Sequence, residues 1–159
     1  MVRFGLIGCG THARWAVLPA LAEAAGCTLC AAADIVPANM EAIEDPAVRR
    51  YVDYRQMLEA EELDAVYVAT PCEAHCPATV AALEAGCHVV CEKPMGMDAA
   101  ECERMLSAAE AADRLLVIDF ENRYQPAYRQ LRAWIDAGHL GAVRAVHLDH
   151  LWDGHKTFG

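Results

Sequence analysis

The sequence predicts an α/β protein with a doubly wound parallel sheet and helices on both faces. Three observations carry that prediction. Short apolar runs alternate with Ala- and Leu-rich helical stretches along most of the 159 residues, as in parallel strands joined by crossover helices. The clearest run, AVYVAT at 65–70, has no polar alternation, so both of its faces are expected to be buried. Glycine follows several helical stretches, at Gly26, Gly86 and Gly138, where helices commonly end.

The elements follow in order. Residues 2–7 read as a strand entering the turn Gly8-Cys9-Gly10, with an apolar run into glycines as the signal. Residues 11–25 read as a helix, broken or kinked at Pro19 because proline lacks the N–H that a helix interior uses. Residues 28–33 are the second strand, ending at Asp34. A weak helix at 37–43, a short strand at 50–52 and a helical turn at 54–60 lead to the strand at 65–70. Pro77 is expected in the first turn of a helix to Ala85. Residues 88–91 form a strand. Asp98 with Glu101 three residues later is a capping box for a helix over 99–112. A strand at 115–119 and a helix at 126–137 follow. Residues 143–152 alternate, with Val146, Leu148 and Trp152 on one side and His147, Asp149 and Asp153 on the other, and read as a half-exposed strand. That lone strand has no edge partner, so the chain reads either as the front of a longer protein or as one whose strand pairs with another subunit. The expected organisation is a nucleotide-type domain at 1–121, then a linker helix and the first strand of an incomplete α+β second domain at 122–159.

Composition excludes several classes. Fifty-five per cent hydrophobic residues rule out a disordered chain. Thirteen Lys and Arg against 23 Asp and Glu give a net charge of −10, which argues against nucleic acid and against an anionic membrane surface as partners. The most apolar stretch, 15–33, is interrupted by Pro19 and Glu23, and no transmembrane helix or signal peptide is read. A cytoplasmic protein with reduced thiols is expected from eight cysteines without a leader. Cys27 and Cys30 have dithiol spacing, but they fall in a strand, where residues three apart point to opposite faces. Cys72, His75 and Cys76, and Cys87, His88 and Cys91, lack the paired spacing of a structural zinc site, so no metal is expected.

Gly8-Cys9-Gly10-Thr11-His12-Ala13 is G-x-G-x-x-A between a strand and a helix. Gly8 permits a tight turn, Gly10 lets a pyrophosphate approach the backbone, and Ala13 lets helix and strand pack closely. The helix N-terminus offers unpaired N–H groups to the phosphates. Asp34 stands 21 residues after Ala13, at the end of the second strand, where a carboxylate accepts hydrogen bonds from the adenosine ribose. Ile35 and Val36 follow it, with no arginine for a 2′-phosphate, so NAD is favoured while NADP stays possible. Thr70, Pro71 and His75, and Glu92-Lys93-Pro94, stand at later strand ends on the same sheet edge. Ligands of open α/β sheets bind there. Lys93 suits proton transfer at a substrate hydroxyl; a surface lysine beside Glu92 is the plainer alternative.

These segments occur in the order of a known family. Gly8-Cys9-Gly10, Thr70-Pro71 with His75, Ala85-Gly86-Cys87-His88-Val89-Val90-Cys91-Glu92-Lys93-Pro94, Asn122-Arg123-Tyr124 with Pro126, and Gly138-His139-Leu140-Gly141 cover nearly the whole chain. The sequence resembles the glucose–fructose oxidoreductase / inositol dehydrogenase / MocA (Gfo/Idh/MocA) family, most specifically in the Glu-Lys-Pro block. The resemblance implies a Rossmann domain that binds NAD(P) and passes hydride to or from a hydroxyl carbon of a sugar, cyclitol or related polyol. It implies that Gly8, Cys9, Gly10, Thr11 and His12 line the pyrophosphate turn and that Asp34, with Ile35 beside it, holds the adenosine ribose. Thr70, Pro71 and His75 would lie along the cofactor, and Glu92 and Lys93 beside the nicotinamide, with Lys93 on the substrate hydroxyl. Asn122 and Arg123 would lie near the junction with a substrate domain that usually makes a homo-oligomer. The chain departs from the family after Asp149: residues 149–159 hold no Asp-x-x-x-His, the segment that brings the family's acid/base histidine. A dinucleotide-binding sensor or regulator without catalysis is the alternative function.

Overall fold

The structure, a computed structural model, describes residues 1–149. The chain divides into two compact units, Met1–Phe120 and a second beginning at Glu121. The first is a parallel sheet of β1 (Val2–Ile7), β2 (Cys27–Ala33), β3 (Arg49–Tyr51), β4 (Ala65–Val68), β5 (His88–Glu92) and β6 (Leu116–Asp119). Its order is β3-β2-β1-β4-β5-β6, with every neighbouring pair parallel. The strand order reverses between β1 and β4. In sheets of this order ligands bind there, outside the carboxyl ends of the strands.

Helices cover both faces of the sheet. On one face Ile7, Val66, Val68, Val89 and Cys91 meet Met57 of α2 (Tyr54–Ala60), Ala82 and Leu83 of α3 (His75–Glu84), and Met105 of α4 (Ala99–Ala112). On the other, Leu6, Ala32 and Tyr67 meet Ala13, Val17 and Met40. Leu6 and Ile7, adjacent in β1, enter different layers because successive strand side chains point to opposite faces. That is why these strands read as unbroken apolar runs.

Three local expectations are refined or corrected. The first helix does come in two pieces: residues 11–23 are helical, with a π-wound segment at Ala13–Val17 leading into α1 (Leu18–Glu23). Leu18 N–H bonds Ala13 O, five residues back, and Pro19 next to it has no N–H for the ordinary four-residue step. Pro77 stands in the first turn of its helix, as expected, but the lead-in is longer than the sequence suggests. A 3₁₀ turn at Cys72–Ala74 leads in and α3 starts at His75. Pro77 is its third residue, still among the first four positions whose N–H groups lack helical partners. The strand expected over 143–152 is not formed in its described part. Residues 143–149 have no regular secondary structure and join no described strand, and a strand exists only through its ladder; 150–152 lie outside the described residues.

The capping box holds in a shifted form. Asp98 Oδ1 accepts from Glu101 N–H at 2.8 Å, while Glu101 Oε2 reaches one residue further back to Met97 N–H at 2.9 Å. The second unit contains a 3₁₀ turn at Glu121–Tyr124 and α5 (Pro126–Asp136).

One buried carboxylate ties β3 to α2. Glu61 accepts both Nε and Nη2 of Arg49 and the hydroxyl of Tyr51. The hydrogen bonds from Arg49, above all, hold its carboxyl below the usual glutamate range. A depressed folded-state pKa stabilises above the unfolded value, and that stability is lost as pH falls through the folded one. Denaturant unfolding followed from neutral pH into the acid range is therefore expected to show a steeper loss for the native chain than for Glu61→Gln. Equal slopes would remove this linkage.

Candidate functional site

The turn after β1 is held by its backbone. Gly8 has φ +90°, and a Cβ there would lie 2.6 Å from Ala69 O and 2.8 Å from Thr70 N. Gly8 N–H donates to Ala33 O at 2.9 Å. Gly10 is the opposite case: a Cβ there would meet nothing within 4 Å. The turn is closed toward β4 at Gly8 and open to a ligand at Gly10. It leads into a helical first turn, where N–H groups are free to bind an anion. A dinucleotide fits this cradle.

Asp34, at the end of β2, clamps the turn. Its Oδ2 accepts from Cys9 N–H at 2.7 Å, and its Oδ1 accepts from Val36 N–H at 2.8 Å and Asn39 Nδ2 at 3.2 Å. A carboxylate has about four acceptor positions, so capacity for a further donor remains. Cys9 itself contributes no side chain to the rim. Its thiol is fully buried, and burial, with Asp34 nearby, pushes its pKa up to about 12. Ile35 beside Asp34 is 86% exposed, an apolar surface at the rim.

A second group gathers at the ends of β4, β5 and β6. His75 is buried, with Nδ1 2.7 Å from Pro94 O and Nε2 2.9 Å from Thr70 O. It pins the β4 end to the Glu-Lys-Pro segment, where the Lys93–Pro94 peptide is cis. Thr70 Oγ1 is buried with no partner among the described residues. Glu92 is buried. Its Oε1 lies 2.6 Å from His12 Nε2 and 2.9 Å from the Tyr67 hydroxyl, and its Oε2 accepts from Lys93 N–H at 3.2 Å. The Tyr67 hydroxyl also meets Asp119 Oδ2 at 2.5 Å. The Lys93 side chain is exposed.

The structure thus brings Gly8, Gly10, Thr11, His12 and Asp34 to one part of the sheet's carboxyl edge. Thr70, Pro71, His75, Glu92 and Lys93 stand at the neighbouring part. The His12–Glu92 contact joins the two. Asn122 and Arg123 belong to the second unit, where Asn122 Oδ1 accepts from Gln125 Nε2 at 2.7 Å. Tyr67, Asp119 and Trp15 carry no motif that marks them in the sequence. Trp15 is 60% exposed and stands edge-on to His12, ring centroids 5.2 Å apart. A signal for Tyr67 does exist: a buried tyrosine hydroxyl in an apolar strand needs a partner. All eight cysteines are free thiols, and no three His, Cys, Asp or Glu side chains gather to hold a metal among the described residues. No helix of the described residues is long and apolar enough to cross a membrane.

Residues 2–120 match the family model described as "Oxidoreductase family, NAD-binding Rossmann fold". The chain belongs to the Gfo/Idh/MocA oxidoreductase family. An inositol 2-dehydrogenase of Salmonella typhimurium is 34% identical over 129 residues, 79% of this chain and 38% of the relative. Among solved structures, the WlbA dehydrogenase of Bordetella pertussis, in complex with NADH and UDP-GlcNAcA, superposes with a TM-score of 0.81 at 30% identity, over 88% of this chain and 43% of that one. The scyllo-inositol dehydrogenase of Lactobacillus casei, with bound NAD(H) and scyllo-inositol, gives 0.78 at 28% identity, over 89% and 42%. The chain therefore spans well under half the length of these relatives. The Rossmann fold expected from sequence is the one found.

Proposed function

We propose that this chain is the cofactor-binding part of an NAD-dependent dehydrogenase acting on a hydroxyl carbon of a sugar, cyclitol or related polyol. The observation that carries the reading is the clamp of the open glycine turn by Asp34. An acid at the end of β2 that also holds Cys9 N–H stands where a ribose diol donates. Gly10, Thr11 and His12 line the pyrophosphate. Thr70, Pro71, His75, Glu92 and Lys93 lie along the nicotinamide half, and the family resemblance assigns Asn122 and Arg123 to the start of a second, substrate-binding domain over 122–159. The named relatives act on inositols or bind a nucleotide sugar, which supports the substrate class. A cytoplasmic homo-oligomer, assembled through the second domain, completes the reading on the strength of the family resemblance.

When bound, the nicotinamide supplies the redox chemistry by accepting or returning hydride. The chain's own part is to bind, orient and handle the proton. The Asp34 carboxylate fixes the adenosine end, and its charge opposes a 2′-phosphate. His75, held at both ring nitrogens, sets the distance between the β4 end and Pro94. Lys93, exposed at the end of β5, orients the substrate hydroxyl and, in its unprotonated amine form, takes up its proton as hydride leaves carbon.

Asp34→Ser tests the central residue. Charge-assisted hydrogen bonds to a ribose are worth about 1.5–3 kcal/mol, so NAD+ affinity falls by roughly 10- to 100-fold. NADP+ affinity falls less or rises. If calorimetry gave an unchanged ratio of the two affinities, the ribose assignment would be wrong.

A further inference from the structure

The Tyr67 hydroxyl has one proton and two carboxyl groups within hydrogen-bond distance, Asp119 Oδ2 at 2.5 Å and Glu92 Oε1 at 2.9 Å. Glu92 and Asp119 are register partners at the ends of β5 and β6, so the sheet itself places the two acids side by side. Tyr67 stays a neutral phenol: burial, above all, pushes its pKa up, with its hydrogen bond to Asp119 next. The hydroxyl can therefore donate to only one of the two acids at a time. The pair holds more acceptor capacity than the phenol can fill. His12 faces Glu92 from the glycine turn at 2.6 Å, and Lys93 follows Glu92 in the chain.

The location gives this arrangement its meaning. In this strand order the two halves of the sheet each take one mononucleotide, across the point where the order reverses. Asp34 assigns the adenosine to the half made by β1, β2 and β3. The nicotinamide then falls to the half made by β4, β5 and β6, whose carboxyl ends carry Glu92 and Asp119. The oxidised nicotinamide ring is a cation and the reduced ring is neutral. A pair of acids at that edge treats the two forms differently, because a charge–charge interaction at short range in a partly buried site far exceeds a charge–dipole one.

We propose that Glu92 and Asp119, held together by the Tyr67 hydroxyl, make the site select by charge for the oxidised cofactor, binding NAD+ more tightly relative to NADH than a neutral edge would. Asp119 and Tyr67 are thereby specificity-determining residues of the cofactor site. The inference rests on the dinucleotide reading above and can fail separately from it.

Calorimetric titration of the 159-residue chain with NAD+ and with NADH tests it. Asp119→Asn keeps the size of the side chain and an oxygen for Tyr67 while removing the charge. The ratio Kd(NAD+)/Kd(NADH) is expected to rise about fivefold or more in this variant, with NADH affinity within about twofold of native. A purely structural role would move both affinities together and leave the ratio alone. An unchanged ratio, or an equal loss of both, overturns the proposal. If Asp119→Asn binds neither form, Glu92→Gln, which leaves the Tyr67–Asp119 bond in place, takes over the test: a raised ratio supports the proposal and an unchanged one overturns it. If the native chain binds neither form, the dinucleotide reading itself is what has failed.

Discussion

Replacing Lys93 by alanine in the whole protein that contains this chain is expected to lower kcat by roughly 10²- to 10⁴-fold, the usual contribution of a positioned proton-transfer group. NAD+ affinity is expected to stay within about twofold, because nothing in the glycine turn or at Asp34 depends on the lysine side chain. Placement is the reason. Lys93 follows Glu92 at the end of β5, and its backbone N–H is bonded to Glu92 Oε2. His75 holds the same segment through its contact with Pro94 O. Strand, carboxylate and imidazole fix the backbone from which the amino group projects, while the side chain itself stays exposed. Lys93→Arg brings a guanidinium that stays protonated and cannot take up the proton, and is expected to recover little. Steady-state kinetics with a panel of polyols measures both variants. Turnover unaffected by Lys93→Ala would remove the residue from the mechanism.

Gly8→Ala is expected to have the largest effect on the fold. The new Cβ must avoid Ala69 O at 2.6 Å, and these are backbone atoms of the strand end, not the tip of a flexible side chain. A φ of +90° adds a conformational penalty of about 1–2 kcal/mol for a residue with a Cβ. Relief of the clash moves either the turn or β4, so the Asp34 clamp and the Thr70 end of the site shift together. The sum is expected to reach roughly 3–5 kcal/mol, a fall in Tm of about 10 °C for a domain of this size, together with loss of dinucleotide binding. Gly10→Ala has open space around its Cβ. It is expected to fold normally and to lose affinity only through contact with the ligand. Thermal unfolding of the two variants side by side separates these roles, and equal stability would contradict the role assigned to Gly8.

What is legible in the sequence follows from the range of the interactions involved. The strands, the glycine turn and Asp34 are local signals: apolar runs, a G-x-G-x-x-A spacing and an acid at a strand end. The Glu-Lys-Pro segment is legible through resemblance. The cluster around Tyr67 is not, because its partners stand far away in sequence, Glu92 at 25 residues and Asp119 at 52. Only parallel strand order and register bring them together. The motif places His12 at the pyrophosphate turn, but its bond to Glu92 spans 80 residues and gives it a second attachment that no motif contains. The buried thiol of Cys9 packs in the layer of Leu6 rather than that of Ile7, because Gly8 at φ +90° breaks the strand alternation, and a motif written as G-x-G leaves this open. The left-handed Asp113 that ends α4, at φ 52°, replaces the glycine that marks other helix ends. The expected strand at 143–152 rests on alternation alone, and alternation selects a face only once a partner strand supplies the ladder.

Titration of the native 159-residue chain with NAD+, NADH and NADPH by calorimetry bears most directly on the central claim, that the Asp34-clamped turn is a dinucleotide site selective for NAD(H). Saturable one-to-one binding of NAD+ and NADH is expected, with NADPH at least about tenfold weaker because its 2′-phosphate meets Asp34. Binding of NADPH as tight as NADH, or no binding of any of the three by a chain whose thermal unfolding is cooperative, would contradict it.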